Sequence, residues 1–260
     1  MSPERTGGRA GVDWPEPVEI LNEMGTAEIV LLCEHASNHI PDEYQRLGLD
    51  ASDLQRHIAW DIGAADVTRR LSSRLDAPAF LGTYSRLLID LNRPIGAESS
   101  IPTRAEDTDI PGNADLDASE QARRAERIFI PFHDRVSAHL DLRAAQGRQT
   151  RIVTIHSFTP VFLSVWRPWH AGVLYDRAKE FGETILAGLR GDGTLNVGSN
   201  VPYSISRDAD YAVPVHGDDR GLPAVLVEIR QDLLSTPSGV DEWVNRLAEV
   251  LSAQKAETRP

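Results

Sequence analysis

The sequence predicts a single α/β domain built on a mostly parallel, mixed β-sheet with helices on both faces. Short apolar runs alternate along the chain with segments of helical periodicity, a pattern typical of parallel sheets. A chain of 260 residues is long enough to bury one large core. Its hydrophobic fraction of 41% and charged fraction of 25% are those of a globular protein.

Four of the apolar runs are predicted strands that lead directly into polar residues. A strand buried in a parallel sheet is apolar throughout, and ligands in such folds bind at the carboxyl ends of the strands. The four runs are 29–33 before Glu34-His35, 87–89 before Asp90-Leu91-Asn92-Arg93, 152–155 before His156, and 224–227 before Glu228. The sequence therefore predicts an active site assembled from four distant segments.

The remaining elements follow from periodicity and from capping residues. Further strands are predicted at 80–81 and 171–175, and the range 94–115 is predicted to be a long loop. Helices are predicted at 62–75, with Asp61 as its N-cap, and at 117–146, where Pro131 should kink or split the helix. Two more are predicted at 176–190 and 239–253. We expect a flexible N-terminus over residues 1–14 and one globular domain over 15–260.

Composition argues against several classes of protein. The net charge of −12 is opposite to the basic surface expected of a nucleic-acid-binding protein. No run approaches the roughly 20 apolar residues of a membrane span, and residues 1–11 lack the apolar core of a secretory signal. The single cysteine, Cys33, lies within an apolar run and is predicted to be a buried structural thiol. We therefore expect a cytoplasmic protein that binds neither nucleic acid nor membrane; the sequence does not indicate its oligomeric state.

The polar residues at the predicted strand ends indicate metal-dependent hydrolysis. Zinc binds imidazole and carboxylate ligands, and catalytic zinc sites keep one position open for water. His35 and His156 are the predicted imidazole ligands, and Glu228 is the predicted general base toward water. Arg86 and Arg93 form a predicted cationic cluster for an anionic substrate. The nucleophile motif Gly-x-Ser-x-Gly and the dinucleotide motif Gly-x-Gly-x-x-Gly are both missing where those classes need them.

Several blocks of the chain resemble the N-formylglutamate amidohydrolase family, which is similar in turn to zinc carboxypeptidases and aspartoacylase-type deacylases. The resemblance extends over about residues 28–235. It is carried by Cys33-Glu34-His35-Ala36-Ser37-Asn38, Ser85-Arg86-Leu87-Leu88-Ile89-Asp90-Leu91-Asn92-Arg93, Pro131-Phe132-His133, Ile155-His156-Ser157-Phe158 and Glu228-Ile229-Arg230-Gln231-Asp232-Leu233-Leu234.

This resemblance implies a carboxypeptidase-like three-layer sandwich and a metal-dependent amidohydrolase that cleaves an N-acyl amino acid such as N-formylglutamate. It implies one zinc ion on His35 and His156, with Glu228 activating the water. Arg86 would polarise the scissile carbonyl and stabilise its oxyanion, and Asn92 and Arg93 would hold the substrate carboxylate.

One departure from the family pattern concerns the third metal ligand. The relatives use His-x-x-Glu, whereas here the fourth position is Asn38, and an amide is a poor zinc ligand. We predict Asp61 as the third ligand, with Glu34 and Asn38 as alternatives. His133, and less strongly His216, are predicted to face the site, His133 as a substrate contact. The alternative function is a metal-poor carboxylate-binding protein of the same fold without turnover.

Overall fold

The computed structural model of the protein describes residues 14–191 and 193–253. Within these residues the chain forms strands and α-helices joined by short 3₁₀ and π-helical turns. The strands are β1 (Val18–Leu21), β2 (Ile29–Cys33), β3 (Ala79–Gly82), β4 (Arg104–Ala105), β5 (Thr108–Asp109), β6 (Arg151–Phe158), β7 (Val161–Phe162), β8 (Val165–Trp166), β9 (Ala171–Leu174), β10 (Val197–Ser199) and β11 (Ala224–Arg230). The helices are α1 (Ala64–Leu75), α2 (Ala118–Arg124), α3 (Ile130–Ala145), α4 (Lys179–Arg190) and α5 (Pro237–Ala253).

The predicted N-terminal segment 1–14 lies outside the described residues except for its last residue. The Trp14 indole nitrogen donates a hydrogen bond to Glu43 Oε1 at 2.7 Å, and its ring packs edge-on against Tyr44. Residues 192 and 254–260 of the predicted domain also lie outside the described residues.

Seven strands form one mixed sheet in the order β1-β3-β2-β6-β11-β9-β10. The four central strands, β3, β2, β6 and β11, run parallel to one another. Antiparallel pairs, β1 with β3 and β9 with β11, lie toward the two edges, so the predicted mixed and mostly parallel sheet is confirmed. Because parallel neighbours end at the same edge of the sheet, β2, β6 and β11 deliver their last residues to one crevice.

Helices cover both faces of this sheet, which confirms the predicted three-layer arrangement. On one face α1, α4 and α5 bury side chains such as Leu71, Ile185 and Leu247. On the other face α3 and the turn before it bury Phe129 and Phe132. No helix among the described residues is long and apolar enough to cross a membrane.

The predicted strand at 87–89 is wrong, because this segment is a buried turn. The backbone nitrogen of Leu88 donates to Ser85 O at 2.9 Å, which closes the turn, and Ser85 Oγ donates to Ala59 O at 2.8 Å. Leu87, Leu88 and Ile89 pack into the core without a neighbouring strand. An apolar run of this length indicates that the segment is buried, but it does not distinguish a strand from a turn.

Two predicted helix features also differ in detail. Asp61 is not the N-cap of α1; Gly63 occupies that position in a left-handed conformation, and the Asp61 side chain is directed to the histidines of the site. The long helix predicted at 117–146 is interrupted at Ala125–Phe129 by a wider π-helical turn. Helix α3 begins immediately after this turn, and Pro131 is its second residue. A widened turn accommodates a proline that cannot donate a helical hydrogen bond.

Candidate active site

A cavity of about 640 Å³ lies where β2, β6 and β11 end. Seven residues predicted for the site line it, whereas His133 and His216, which were also predicted to face the site, do not. The seven are His35, Asp61, Arg86, Asn92, Arg93, His156 and Glu228. His35 lies two residues beyond β2, whereas His156 and Glu228 lie within β6 and β11 themselves. The topology therefore brings together segments that are far apart in the sequence.

His35, Asp61 and His156 form a buried cluster whose possible ligand atoms all lie within 4.8 Å of one another. Asp61 Oδ2 lies 2.8 Å from His156 Nδ1 and 3.4 Å from His35 Nδ1. The backbone nitrogen of Asp61 also donates to His35 O at 3.0 Å, which ties the turn before α1 to the end of β2. Three polar side chains thus converge on one point beside the cavity.

The outer nitrogen of each imidazole is bonded to a different carboxylate. His35 Nε2 lies 2.7 Å from Asp90 Oδ1, and His156 Nε2 lies 2.9 Å from Glu34 Oε2. Metal-binding histidines are commonly oriented in this way, because a carboxylate on one ring nitrogen leaves the other nitrogen to bind the metal. In this cluster the inner nitrogens are both Nδ1.

This donor set fits a metal ion of the kind the sequence predicts. Two imidazole nitrogens and one carboxylate oxygen are a ligand set that catalytic zinc uses. The alternative ligands have other partners: Asn38 Nδ2 donates to Leu54 O at 2.7 Å, and Glu34 is bonded to the outer nitrogen of His156. His35, Asp61 and His156 are therefore the residues that could hold zinc.

The electrostatics of the cluster favour charged side chains in the metal-free protein. Burial alone would lower the pKa of His156, but its hydrogen bonds with Asp61 and Glu34 raise that pKa well above its usual value. Burial would likewise raise the pKa of Asp61, yet the charge of His35 and the hydrogen bond with His156 hold it well below its usual range. In the metal-free protein His156 therefore holds a proton between two carboxylates.

Glu228 lies next to this cluster in the sheet. It is opposite His156 in the ladder between β11 and β6, and its carboxyl group is buried. Its Oε2 has no hydrogen-bond partner among the described residues. Burial raises the pKa of Glu228 to about 7. A carboxyl group with a pKa near neutrality and an unpaired oxygen toward a cavity is suited to general acid–base chemistry.

Arg86 is fixed at the edge of the cavity by two aspartates. Its Nε and Nη2 donate to Asp90 Oδ2 at 3.1 and 2.8 Å, and its Nη1 donates to Asp61 Oδ1 at 3.4 Å. Burial would lower the pKa of Arg86, but Asp90 and Asp61 outweigh that effect and raise it. Asp90 therefore connects the predicted oxyanion-binding arginine to the outer nitrogen of His35.

Asn92 and Arg93 reach the same cavity from the segment that follows Asp90. Asn92 Oδ1 accepts hydrogen bonds from the backbone nitrogens of Tyr211 and Ala212 at 3.2 and 2.9 Å, so its amide nitrogen is the group left for a ligand. Arg93 donates to the carbonyl of Ala209 and to Asp210 Oδ1 at 3.2 Å. Both side chains are thus held in place by the loop that follows β10.

His133 lies behind the cavity and holds the backbone next to Asn92. Its Nε2 is 2.8 Å from Leu91 O, and its Nδ1 is 2.8 Å from His216 Nε2. Burial lowers the pKa of both histidines, that of His216 to about 4. Because a carbonyl only accepts, Nε2 of neutral His133 carries the hydrogen, and its Nδ1 accepts from His216. The geometry gives His133 a positioning role; substrate contact stays a prediction.

Sequence reasoning missed several residues of this site. Glu34 and Asp90 were not predicted to orient the histidines, although each is the first charged residue after an apolar run. His57, Tyr203 and Asp210 line the cavity but stand in loops, where no periodicity marks them. Only the folded chain shows which carboxylate pairs with which imidazole.

A buried carboxyl group beside convergent imidazoles and a fixed arginine is an arrangement typical of hydrolases that act on amide bonds. The model of the N-formylglutamate amidohydrolase family matches residues 27–235. The chain therefore belongs to the N-formylglutamate amidohydrolase family, and it is a hydrolase of amide bonds.

Several solved structures are similar to this chain, and two of them are described below. A gene product of Agrobacterium tumefaciens is 37% identical, with a TM-score of 0.90, and the match covers 93% of this chain and 96% of that one. An N-formylglutamate amidohydrolase from Ralstonia eutropha JMP134 is 15% identical, with a TM-score of 0.65 and coverage of 92% and 97%. The similarity to the second structure is a similarity of fold alone. No match was found among curated proteins.

Proposed function

We propose that this protein hydrolyses the amide bond of N-acyl amino acids, of which N-formylglutamate is an example, with one zinc ion held by His35, Asp61 and His156. The observation that carries the proposal is the position of Glu228. Its unpaired carboxylate oxygen is buried beside the cavity, directly across the ladder from one of three convergent donors.

Zinc bound by these residues would supply Lewis acidity, which polarises a carbonyl group and makes water acidic near neutral pH. Glu228 takes a proton from the attacking water and then delivers a proton to the nitrogen of the leaving amine. The water oxygen forms a bond to the acyl carbon while an electron pair of the carbonyl bond moves to the carbonyl oxygen. When the carbonyl bond forms again, the carbon–nitrogen bond breaks and its electron pair leaves with the protonated nitrogen, so the products are a carboxylic acid and a free amino acid.

The two arginines supply charge stabilisation and recognition. Arg86 is held by Asp90 and Asp61, so its remaining N–H groups are ready to stabilise negative charge that develops on the carbonyl oxygen. Arg93 and the amide nitrogen of Asn92 are the proposed partners of the substrate carboxylate. With a net charge of −12, the protein does not attract anions at long range, so recognition depends on these short contacts.

The experiment that tests this proposal measures amide hydrolysis with and without zinc. Protein purified without added metal is assayed with N-formyl, N-acetyl and N-succinyl amino acids, then treated with a chelator and reloaded. Glu228→Gln should retain zinc but lose activity by a factor of about 10²–10⁴, because the amide cannot act as a base. Binding of N-acyl amino acids without turnover under any of these conditions would favour the alternative, a carboxylate-binding protein.

A further inference from the structure

The cavity has one apolar side, which the proposed reaction with a formyl group does not use. Phe158, Phe162, Leu174, Pro202 and Tyr203 line it. We refer to these five residues as the apolar wall. Leu174 ends β9, and Pro202 and Tyr203 follow β10, at the opposite end of the sheet order from β3.

The charged groups that line the cavity come from a different segment of the chain. Arg86, Asn92 and Arg93 all belong to the segment after β3, whereas β11, which carries Glu228, lies between β6 and β9 in the sheet. Leu174 of the apolar wall lies on β9, which pairs directly with β11. A substrate whose carboxylate lies at the arginines and whose amide lies at Glu228 therefore has the apolar wall next to its acyl carbon.

A buried arginine holds part of this wall rigid. Arg167 stacks on the rings of Phe162 and Tyr203, with its guanidinium carbon 4.5 and 4.8 Å from their centroids. Its Nη1 also donates to the Tyr203 hydroxyl at 2.8 Å. Arg167 is itself buried, so the two rings share one buried partner. Such a preformed surface binds a ligand without an ordering cost.

Exposed apolar side chains are concentrated next to the wall. Nine large hydrophobic residues are exposed in the described part of the chain. Four of them belong to the β7–β8 hairpin, and a fifth belongs to the apolar wall. These five are Val161, Leu163, Val165, Trp166 and Tyr203. Contiguous exposed apolar surface beside a cleft commonly marks a ligand-binding groove.

We propose that the apolar wall binds an acyl group of several carbons, so that the substrates are N-acyl amino acids with an aliphatic or aromatic acyl group larger than formyl. This inference rests on the proposed amide hydrolysis. A formyl group has one carbon and would leave most of the 640 Å³ cavity and the whole wall without contact. A longer apolar acyl group removes both surfaces from water.

The experiment varies the acyl group while the amino acid stays constant. N-formyl-, N-acetyl-, N-butanoyl- and N-hexanoyl-L-alanine are compared with the zinc-loaded enzyme. The ratio kcat/KM should rise by a factor of up to about four for each added methylene, and by at least about tenfold from formyl to hexanoyl. A constant or falling ratio along the series would overturn the inference. A higher kcat/KM for N-formyl-L-phenylalanine than for N-hexanoyl-L-alanine would also overturn it, because the wall would then bind the amino-acid side chain.

A pair of variants on one hairpin locates the effect. Phe162→Ala should lower the hexanoyl-to-formyl ratio of kcat/KM by roughly tenfold, because it removes a ring from the wall. Val161→Ala is the matched control, since adjacent residues of a strand point to opposite faces and Val161 does not line the cavity. Equal ratios in the two variants would exclude Phe162 from acyl binding. Unfolding midpoints of both variants show whether the hairpin remains folded.

A binding measurement separates this inference from the proposed reaction. Calorimetry with Glu228→Gln should show tighter binding of N-hexanoyl-L-alanine than of N-formyl-L-alanine, whether or not the parent turns either over. Turnover with equal binding of the two ligands would leave the reaction standing and overturn the acyl site. Preferential binding without turnover would support the acyl site and overturn the reaction.

Discussion

Glu228 is proposed to act as a base, and its ionised, buried carboxyl group lowers the stability of the metal-free protein. Burial raises its pKa to about 7 from a reference of 4.5, so between these values the folded state binds more protons than the unfolded state. The contribution of Glu228 to stability is therefore fully present below the unfolded pKa and is lost as the pH rises through the folded pKa. A buried base kept ready for ionisation is an example of stability given up for activity.

The metal-free Glu228→Gln variant should therefore be more stable than the metal-free parent at pH 8, by up to about 3 kcal/mol. Near pH 4.5 the two proteins should differ little, because the parent carboxyl group is then protonated in the folded state. Denaturant unfolding at the two pH values measures the difference. Glu249→Gln, at an exposed position on α5, is the control and should follow the parent. A gain of equal size at both pH values would mean that Glu228 is destabilising for a reason other than ionisation.

The carboxylates behind the histidines lead to a second prediction at this scale. Asp90→Asn and Glu34→Gln should each weaken zinc binding by about 10- to 100-fold, because each removes the anion that orients one imidazole. Competition with a chromophoric chelator measures the affinity. Asp210→Asn is the control, since Asp210 lines the same cavity but pairs with Arg93. Unchanged zinc affinity in both Asp90→Asn and Glu34→Gln would show that the histidines need no orienting partner.

The residues that line the candidate site could largely be predicted from the sequence, but their pairings could not. His35, His156 and Glu228 were detectable because a polar residue at the end of an apolar run is costly unless it has a use. The choice between the two nitrogens of each imidazole depends on Glu34 and Asp90, and these distances arise only when distant segments meet.

The turn immediately before α1 is the element that positions Asp61, the third possible metal ligand. Gly63 follows two residues after Asp61 and has a φ of +83°, and a Cβ added to it would lie 2.4 Å from Leu234 Cβ. A side chain at this position would therefore meet both backbone strain and a packed neighbour.

We expect Gly63→Ala to destabilise the protein by about 2–4 kcal/mol, the sum of left-handed strain and overpacking. Gly147→Ala is the matched control. It also has a positive φ, +66°, but an added Cβ would meet nothing within 4 Å, so only about 1–2 kcal/mol of strain remains. Denaturant unfolding of the two variants compares the costs, and equal losses would show that contact with Leu234 is relieved without cost.

At the level of elements, sequence patterns were accurate where burial and periodicity agree. The central strands β2, β6 and β11 are buried along almost their whole length, and their apolar runs predicted them. The same reasoning failed at 87–89, because a turn packed into the core is equally apolar. The strands β1 and β10 were missed since they are short, lie at the edges of the sheet and are largely half-buried.

For the whole molecule, the site joins parts of the chain that are separated by most of its length. Glu34 and Glu228 stand near opposite ends of the described residues, and the order of strands in the sheet brings them to one crevice. That order could be expected in general terms from alternating strands and helices. The loops that complete the cavity, including the one with Tyr203 and Asp210, have no such regularity, and the apolar wall therefore emerged only from the structure.

Zinc binding should stabilise the entire domain, because the three proposed ligands come from the end of β2, the turn before α1 and β6. At a free zinc concentration 100 times Kd the gain is about 2.7 kcal/mol, a rise in Tm of roughly 5–10 °C for a domain of this size. His156 holds a proton in the metal-free protein because its pKa is raised well above the usual value. That proton must leave when Nδ1 binds zinc, so apparent affinity should increase about tenfold per pH unit until the pH passes this pKa.

Differential scanning calorimetry with and without zinc measures the first effect, and titration calorimetry in buffers of different ionisation enthalpy measures the released proton. His156→Asn should lose both the rise in Tm and the proton release. His139→Gln, a change to a buried histidine outside the cavity, should retain them. If zinc leaves the Tm of the parent unchanged, the His35, Asp61 and His156 cluster is a hydrogen-bonded network without a metal. The protein would then have to bind carboxylates by its arginines alone.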